Sequence, residues 1–196
     1  AHRHQAGPVK LVTVDLSDED HRAYYLGYAN GVLWPVFHYR LDLADFDAGY
    51  IEGYRRVNQL FARLLAPLLK PDDLVWVHDY HLMPLASELR ALGCQQRIGF
   101  FLHIPLPPPM ILAAIPGHDW LVRSLCAFDV VGFQSETDHQ HFCGYIEREA
   151  KAQSLGEGRW RVFNRTLHAG AWPIGIDVDE LEALAKGAAL ARERYK

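Results

Sequence analysis

The sequence predicts a doubly wound α/β domain with a mostly parallel sheet, and three observations carry that prediction. Three short apolar runs, LVWVH (74–78), RIGFFLH (97–103) and DVVGFQ (129–134), end on polar, proton-handling side chains. Each polar tip is followed by a helical pattern: HLMPLASELRALG after the first, PMILAAI and DWLVRSLCA beyond a proline-rich turn after the second, SETDHQHFCGYIEREA after the third. Strand, tip and helix in series require parallel pairing through right-handed crossovers, which brings the tips to one edge of the sheet. With 196 residues, 49% hydrophobic and 22% charged, the chain is long enough to bury a core of its own.

The remaining elements follow in order. VKLVTVDL (9–16) alternates and is rich in β-branched residues, so it reads as a further strand of the sheet, and Ser17 with Asp20 three positions on forms a capping box for the next helix. That helix carries HRAYYLGYANGVLWPVFHY and is ended or kinked near Pro35, which has no N–H to give. Residues 47–70 place Val57, Leu60, Phe61, Leu64, Leu65 and Leu68 on one helical face. LVWVH is a continuous apolar run of the kind buried on both faces of a parallel sheet. Gly93 stops the helix after it, and Ser135 caps the helix after the third strand. RWRVFNRTLHAGAWPIGID (159–177) reads as a hairpin around Asn164-Arg165 leading to a last short strand, and DELEALAKGAALARERYK as a terminal helix.

Charge and cysteine content exclude several classes. A net charge of −4 with dispersed basic residues gives no footprint for nucleic acid. Three cysteines, an odd count without CxxC spacing, read as free thiols in a reducing compartment, hence a cytoplasmic protein. The start AHRHQAGPVK has no apolar signal region, and no stretch is long enough to cross a bilayer, so no membrane partner is expected. The abrupt polar start without Met suggests a piece of a longer chain.

The strand tips gather His78, Asp79, Tyr80 and His81 from the first unit, His103 from the second, and Gln134, Ser135 and Glu136 from the third. Strand ends are where open α/β sheets bind ligands, yet His and Tyr at a strand–helix junction also serve as caps for backbone groups. Adjacent strands lie roughly 5 Å apart, so Asp79 and His103 are within reach of one ligand. All four of His78, Asp79, His81 and His103 are metal-ligand types. Against a metal, HDxH lacks the i, i+4 pairing of HExxH, no cysteine joins, and His103 sits in an apolar, proline-rich stretch. Neither GxxxxGK[ST] nor GxGxxG is present for a phosphate grip. Tyr24, Tyr25, Tyr28, Trp34, Phe37 and Tyr39 crowd the helix after the first strand. An aromatic face stacks on the C–H face of a sugar while a carboxylate such as Asp79 accepts from its hydroxyls; core packing is the competing use for most of these rings.

The blocks NGVLWPVFHYRLDL (30–43), VWVHDYHLMPLASELR (75–90), RIGFFLHIPLPPPMI (97–111), DVVGFQSETDHQHF (129–142) and WPIGID (172–177) closely resemble, in order and spacing, the N-terminal domain of the trehalose-6-phosphate synthase family, over residues 9–180. The resemblance implies a GT-B fold of two Rossmann-like domains and transfer of glucose from UDP-glucose to glucose 6-phosphate with retention, giving α,α-trehalose 6-phosphate and UDP without a cofactor or metal. By motif, Tyr25 and Asp79 resemble the acceptor-binding tyrosine and aspartate, Trp34 the tryptophan that shapes the acceptor subsite, and His103 the histidine that contacts the donor glucose; Asp79 and His103 are the expected catalytic pair. No protein nucleophile stands out, which fits a front-face mechanism in which the leaving phosphate takes the acceptor's proton. Residues 1–180 then form the acceptor-side domain without the family's glycine-rich loop, and 181–196 a helix leading toward a C-terminal nucleotide-sugar domain with its RxDxxKG motif. Met110 and Thr137 depart from the family's usual acidic residue and asparagine. The rivals are a sister synthase such as glucosylglycerol-phosphate synthase, a non-catalytic module that binds sugar phosphate or pairs with a synthase, and last a metal-dependent hydrolase. A homo-oligomer is compatible with each.

Overall fold

The computed structural model describes residues 2–193. In chain order its elements are β1 (His2–Ala6), β2 (Val9–Thr13), α1 (Asp18–Asp20), a π-helical segment (His21–Leu33), α2 (Trp34–Phe37), α3 (Ala48–Leu65), β3 (Leu74–His78), α4 (Leu85–Ala91), β4 (Arg97–Leu102), α5 (Pro109–Leu112), α6 (His118–Leu125), β5 (Val130–Phe133), α7 (Glu136–Arg148), β6 (Gln153–Gly156), β7 (Arg159–Val162), β8 (Arg165–Ala171) and α8 (Val178–Glu193). The main sheet runs β3-β4-β5-β8-β7-β6. The first four strands pair in parallel, and β7 and β6 add on antiparallel. His78 pairs with Phe101, Leu102 with Phe133, and Phe133 with Ala171, so the three predicted polar tips leave the sheet on one edge.

The core lies on the face that carries Val75, Val77, Ile98, Phe100, Leu102, Val131, Phe133, Leu167 and Ala169. The other face of β3 is not buried as the continuous apolar run led us to expect: Leu74 is 66% and Trp76 64% exposed. β3 is the end strand of the sheet, and its pattern alternates exposed and buried despite uniformly apolar side chains. A short apolar run alone does not say whether one face or two will be covered.

VKLVT also differs from expectation. It pairs antiparallel with His2–Ala6 in a separate two-stranded hairpin, all of it exposed, and contributes nothing to the main sheet. Its β-branched composition gave the extended backbone but could not choose its partner. The hairpin expected around Asn164-Arg165 turns one residue earlier, at Phe163 and Asn164, with Val162 paired to Arg165. β6 had no signature in the sequence reading. The terminal helix is present as Val178–Glu193, and residues 194–196 of the expected stretch lie outside the described residues.

The helix after Ser17 begins as read, with the Ser17 hydroxyl accepting from the Asp20 N–H at 3.1 Å. It then widens, and at its end the Trp34 N–H bonds to the Ala29 carbonyl, five residues back. Pro35 sits in the first turn of α2, where a missing N–H is harmless, and the helical run ends at Phe37. This segment crosses α3 closely: a Cβ on Gly27 would collide with the Tyr50 ring, and one on Gly53 with Ala23. On α3 the buried stripe is Gly53, Tyr54, Val57, Asn58 and Ala62, while Leu68, expected in the face, is 38% exposed. Two polar-tipped side chains thus take core positions, and the reason lies at the tip of β3.

Candidate active site

β3 ends at His78, and the Asp79 N–H extends the ladder by one bond, to the Phe101 carbonyl at 2.8 Å. The backbone then turns at Asp79 with φ 67° and ψ 171°, a region ordinarily left to glycine. Such a residue carries strain of order 1–3 kcal/mol and persists only where its surroundings over-determine it. Here the surroundings are buried polar groups. The Tyr54 hydroxyl donates to the Tyr80 carbonyl at 2.5 Å, and Asn58 Nδ2 donates to the His81 carbonyl at 3.2 Å; both residues are fully buried. The Tyr80 hydroxyl donates to Asn30 Oδ1 at 2.8 Å, and Asn30 Nδ2 in turn to the Tyr25 carbonyl at 2.9 Å, so the turn is tied to the π-helical segment. Burial raises the Tyr54 phenol well above its ordinary value, and burial followed by the nearby Asp79 charge pushes Tyr80 up to about 12, so both remain neutral donors.

The tip of β4 meets this turn directly. Asp79 Oδ1 accepts from the His103 N–H at 3.3 Å, and the imidazoles of His78 and His103 approach with Nδ1 and Nε2 2.9 Å apart. The proline-rich stretch after His103 is fastened to α7. Leu106 N–H donates to Asp138 Oδ1 at 2.8 Å, and the Leu106 carbonyl lies 2.7 Å from His141 Nδ1. Asp138, 7% exposed, also takes the Ser135 hydroxyl at 2.5 Å, while Ser135 caps α7 through the Asp138 N–H as expected. A carboxylate in the first turn of a helix is therefore spent on holding the loop that follows His103.

Tyr25 is exposed and stacks on His81, centroids 5.4 Å apart and planes 15° apart, with His21 on its other neighbour contact at 5.4 Å. Burial lowers the His81 pKa against the opposing pull of the Asp79 charge. Trp34 is also exposed, and its ring partner is His38 at 4.2 Å. It meets Tyr25, Asp79 and His103 through no hydrogen bond or ring contact among the described residues. Of the four expected site residues, Asp79 and His103 are joined directly, Tyr25 stacks on His81 two positions beyond Asp79, and Trp34 stands apart on the same helical run. His78 turns to His103 and His81 to the tyrosines; the described residues gather no group of three or more metal-ligating side chains.

Tyr54, Asn58 and Asn30 were not singled out from the sequence. A signal existed in GYRRVNQ, where Tyr54 and Asn58 lie four apart on a helix whose other buried positions are apolar. Below the two histidines, the open face of the sheet forms a trough of about 640 Å³ lined by Trp76, Phe101, Gly132 and Trp172 among others. A Cβ on Gly132 would come within 2.7 Å of the Phe101 ring and 3.2 Å of the Trp172 ring, so glycine there lets two aromatics lie on the sheet.

The sequence profile of Glycosyltransferase family 20 matches residues 2–195. The chain belongs to glycosyltransferase family 20. It is 48% identical over 184 residues to the trehalose-6-phosphate synthase of Sinorhizobium fredii, an alignment that covers 94% of this chain and 40% of that protein. Among solved structures, the UDP-forming α,α-trehalose-phosphate synthase of Burkholderia xenovorans in complex with glucose-6-phosphate superposes with a TM-score of 0.88 at 48% identity, over 95% of this chain and 42% of its own. The E. coli enzyme bound with UDP-2-fluoro glucose gives 0.90 at 39% identity, over 98% and 44%. The family 20 chain described here therefore spans about 40% of the length of these relatives. Its α/β architecture with a mostly parallel sheet is the Rossmann-like, GT-B class expected from the sequence. No helix of the described residues is long and apolar enough to cross a membrane.

Proposed function

We propose that this chain is the acceptor-side domain of a retaining glucosyltransferase, a trehalose-6-phosphate synthase that moves glucose from UDP-glucose to glucose 6-phosphate and releases UDP. Residues 1–180 form that domain, and 181–196 lead toward a domain that holds the nucleotide sugar. The observation that carries the reading is the junction of the Asp79 carboxylate with His103 at neighbouring strand tips, 3.3 Å apart through the His103 N–H, in a family 20 chain whose relatives bear that name. Asp79 orients acceptor hydroxyls, Tyr25 and Trp34 shape the acceptor subsite, and His103 bonds the donor glucose. As the glycosidic bond lengthens the sugar ring gains positive charge, and fixed polar groups placed for that state lower its energy more than that of the bound substrates. The departing diphosphate takes the acceptor's proton, so Asp79 and His103 orient and stabilise without forming a covalent intermediate. The three free cysteines, one buried and two half-buried, fit a reducing cytoplasm.

The test is a titration of the isolated chain with glucose 6-phosphate, followed by NMR, beside an assay of UDP release. Weak, saturable shifts at Tyr25 and Asp79 that disappear in Asp79→Asn support the reading, together with no trehalose 6-phosphate formed by residues 1–196 alone. Saturable binding that leaves those residues unmoved, or robust turnover by the isolated chain, overturns it.

A further inference from the structure

We propose that His78 is a positioning residue for His103: it accepts the His103 Nε2 proton and so leaves the bare Nδ1 of His103 turned to the ligand as a hydrogen-bond acceptor. The inference rests on the reading of His103 as the residue that meets the donor sugar.

The geometry begins with strand register. His78 pairs with Phe101 across the parallel β3–β4 ladder, and His103 follows two positions beyond Phe101, so its side chain falls on the same face as His78 and diagonal to it. The ring planes lie 20° from parallel with centroids 5.2 Å apart, a separation that fits imidazoles meeting through their edges across the 2.9 Å Nδ1···Nε2 contact. Each ring is braced from its own strand. Trp76 lies parallel to His78, planes 8° apart at 5.4 Å, and Phe101 packs on His103 at 4.8 Å.

Two nitrogens at that distance share one proton, so the tautomers of the two rings are coupled. If His78 donated, both rings would be Nδ1–H tautomers, the form a free neutral imidazole side chain disfavours. If His103 donates, both keep the favoured Nε2–H form, and His78 Nδ1 accepts. The second arrangement leaves a lone pair on His103 Nδ1. A lone pair accepts a bond from a sugar hydroxyl and presents partial negative charge to a ring becoming cationic, whereas an N–H at that atom would present the opposite sign. The backbone of His103 is held at the same time by Asp79 Oδ1, so ring and main chain are fixed from adjacent residues of one turn.

The experiment uses the chain labelled with ¹⁵N-histidine and, for kinetics, the complete polypeptide that carries it. A ¹⁵N–¹⁵N coupling across the hydrogen bond, joining a protonated His103 Nε2 to an unprotonated His78 Nδ1, is the expected result, and it needs no variant. In the complete protein, His78→Leu should lower kcat roughly ten- to a hundredfold with the KM for glucose 6-phosphate unchanged, and His78→Asn, whose amide oxygen accepts near the Nδ1 position, should recover most of it. Absence of the coupling, or the proton found on His78 Nδ1, overturns the proposal. So does a His78→Leu enzyme of normal kcat in a protein that His103→Ala inactivates. A His103→Ala enzyme of normal activity strikes instead at the donor-site reading on which the proposal stands.

Discussion

Two of the places where the chain leaves the sheet with a left-handed backbone lie at opposite edges, after β3 and between β7 and β8, and these two turns have different causes. Between β7 and β8, Phe163 and Asn164 have φ of 47° and 60° in a two-residue loop whose flanking residues, Val162 and Arg165, pair directly. That is the primed turn that the right-handed twist of paired strands favours, and it is specified locally. Around it the Arg123 guanidinium lies over the Phe163 ring at 4.3 Å, and the flanking Arg165 pairs with Asp129 at 3.1 Å. At the tip of β3, Asp79 turns alone with no hairpin to require it. Its conformation is held by Tyr54, Asn58 and Asn30, all remote in sequence and on other elements, through bonds to Tyr80 and His81. Strain made by a turn relaxes with the turn; strain held by remote buried side chains marks a position where the fold is bent to serve a side chain.

The largest effect that separates the two turns is on activity. On the proposed function, Asp79→Ala in the complete polypeptide that carries this chain should lower kcat/KM by on the order of a hundredfold or more, the scale for losing a polar contact to a transition state. Phe163→Gly should leave it unchanged. Asp79→Gly sharpens the contrast, because glycine accepts φ 67° without strain. It should be as inactive as Asp79→Ala yet keep stability within about 1 kcal/mol of the parent, the relief of strain offsetting the lost carboxylate bond and glycine's greater unfolded-state freedom. UDP release and urea unfolding read the two quantities separately. An active Asp79→Gly protein would return the HDYH cluster to a role in backbone capping.

The next effect lies in the supporting layer. Tyr54→Phe removes the donor to the Tyr80 carbonyl while keeping the ring, which is fully buried and packs on Tyr24 and Tyr28. Leaving a buried carbonyl unpaired costs roughly 1–3 kcal/mol, and urea denaturation should show it. Removing the Arg123 contact at the other turn, with Arg123→Met, should cost less than about 1 kcal/mol. Equal losses at the two sites would mean that the Asp79 turn needs no more remote support than the hairpin does.

The same contrast explains what was legible in the sequence. Strand, polar tip and helix repeat locally, so the parallel sheet and its shared edge followed from LVWVH, RIGFFLH and DVVGFQ, and from them the meeting of Asp79 with His103. VKLVT shows the limit: alternation fixed an extended backbone, but its partner came from the preceding residues and not from the sheet. Trp76 shows another, because burial of a strand's second face depends on what covers it, and apolar character alone carried no such information. Tyr54 and Asn58 were visible as residues and not as a support, since their purpose appears only when Tyr80 and His81 arrive beside α3.

The smallest expected effect is on pH dependence, and it again separates the turns. The Asp79 turn contains a titrating group shifted by burial: His81, half-buried beneath Tyr25, has its pKa lowered from 6.5, with the Asp79 charge pulling the other way. Its Nε2 is buried without a hydrogen-bond partner, so a proton placed there gains nothing to bond. A folded-state pKa below the unfolded value means that the unfolded chain binds more protons through that interval. The contribution is therefore complete above pH 6.5 and is lost as pH falls through the lowered folded-state value. His81→Phe keeps a ring against Tyr25 and removes the proton site. On moving from pH 7.5 to pH 5.5, the parent should lose more stability in urea unfolding than His81→Phe does, while a substitution at the hairpin, Phe163→Gly, should leave the parent's acid loss intact. If His81→Phe and the parent lose the same amount, the imidazole is protonated in place at no cost, and the turn around Asp79 is then as indifferent to charge as the hairpin at the opposite edge.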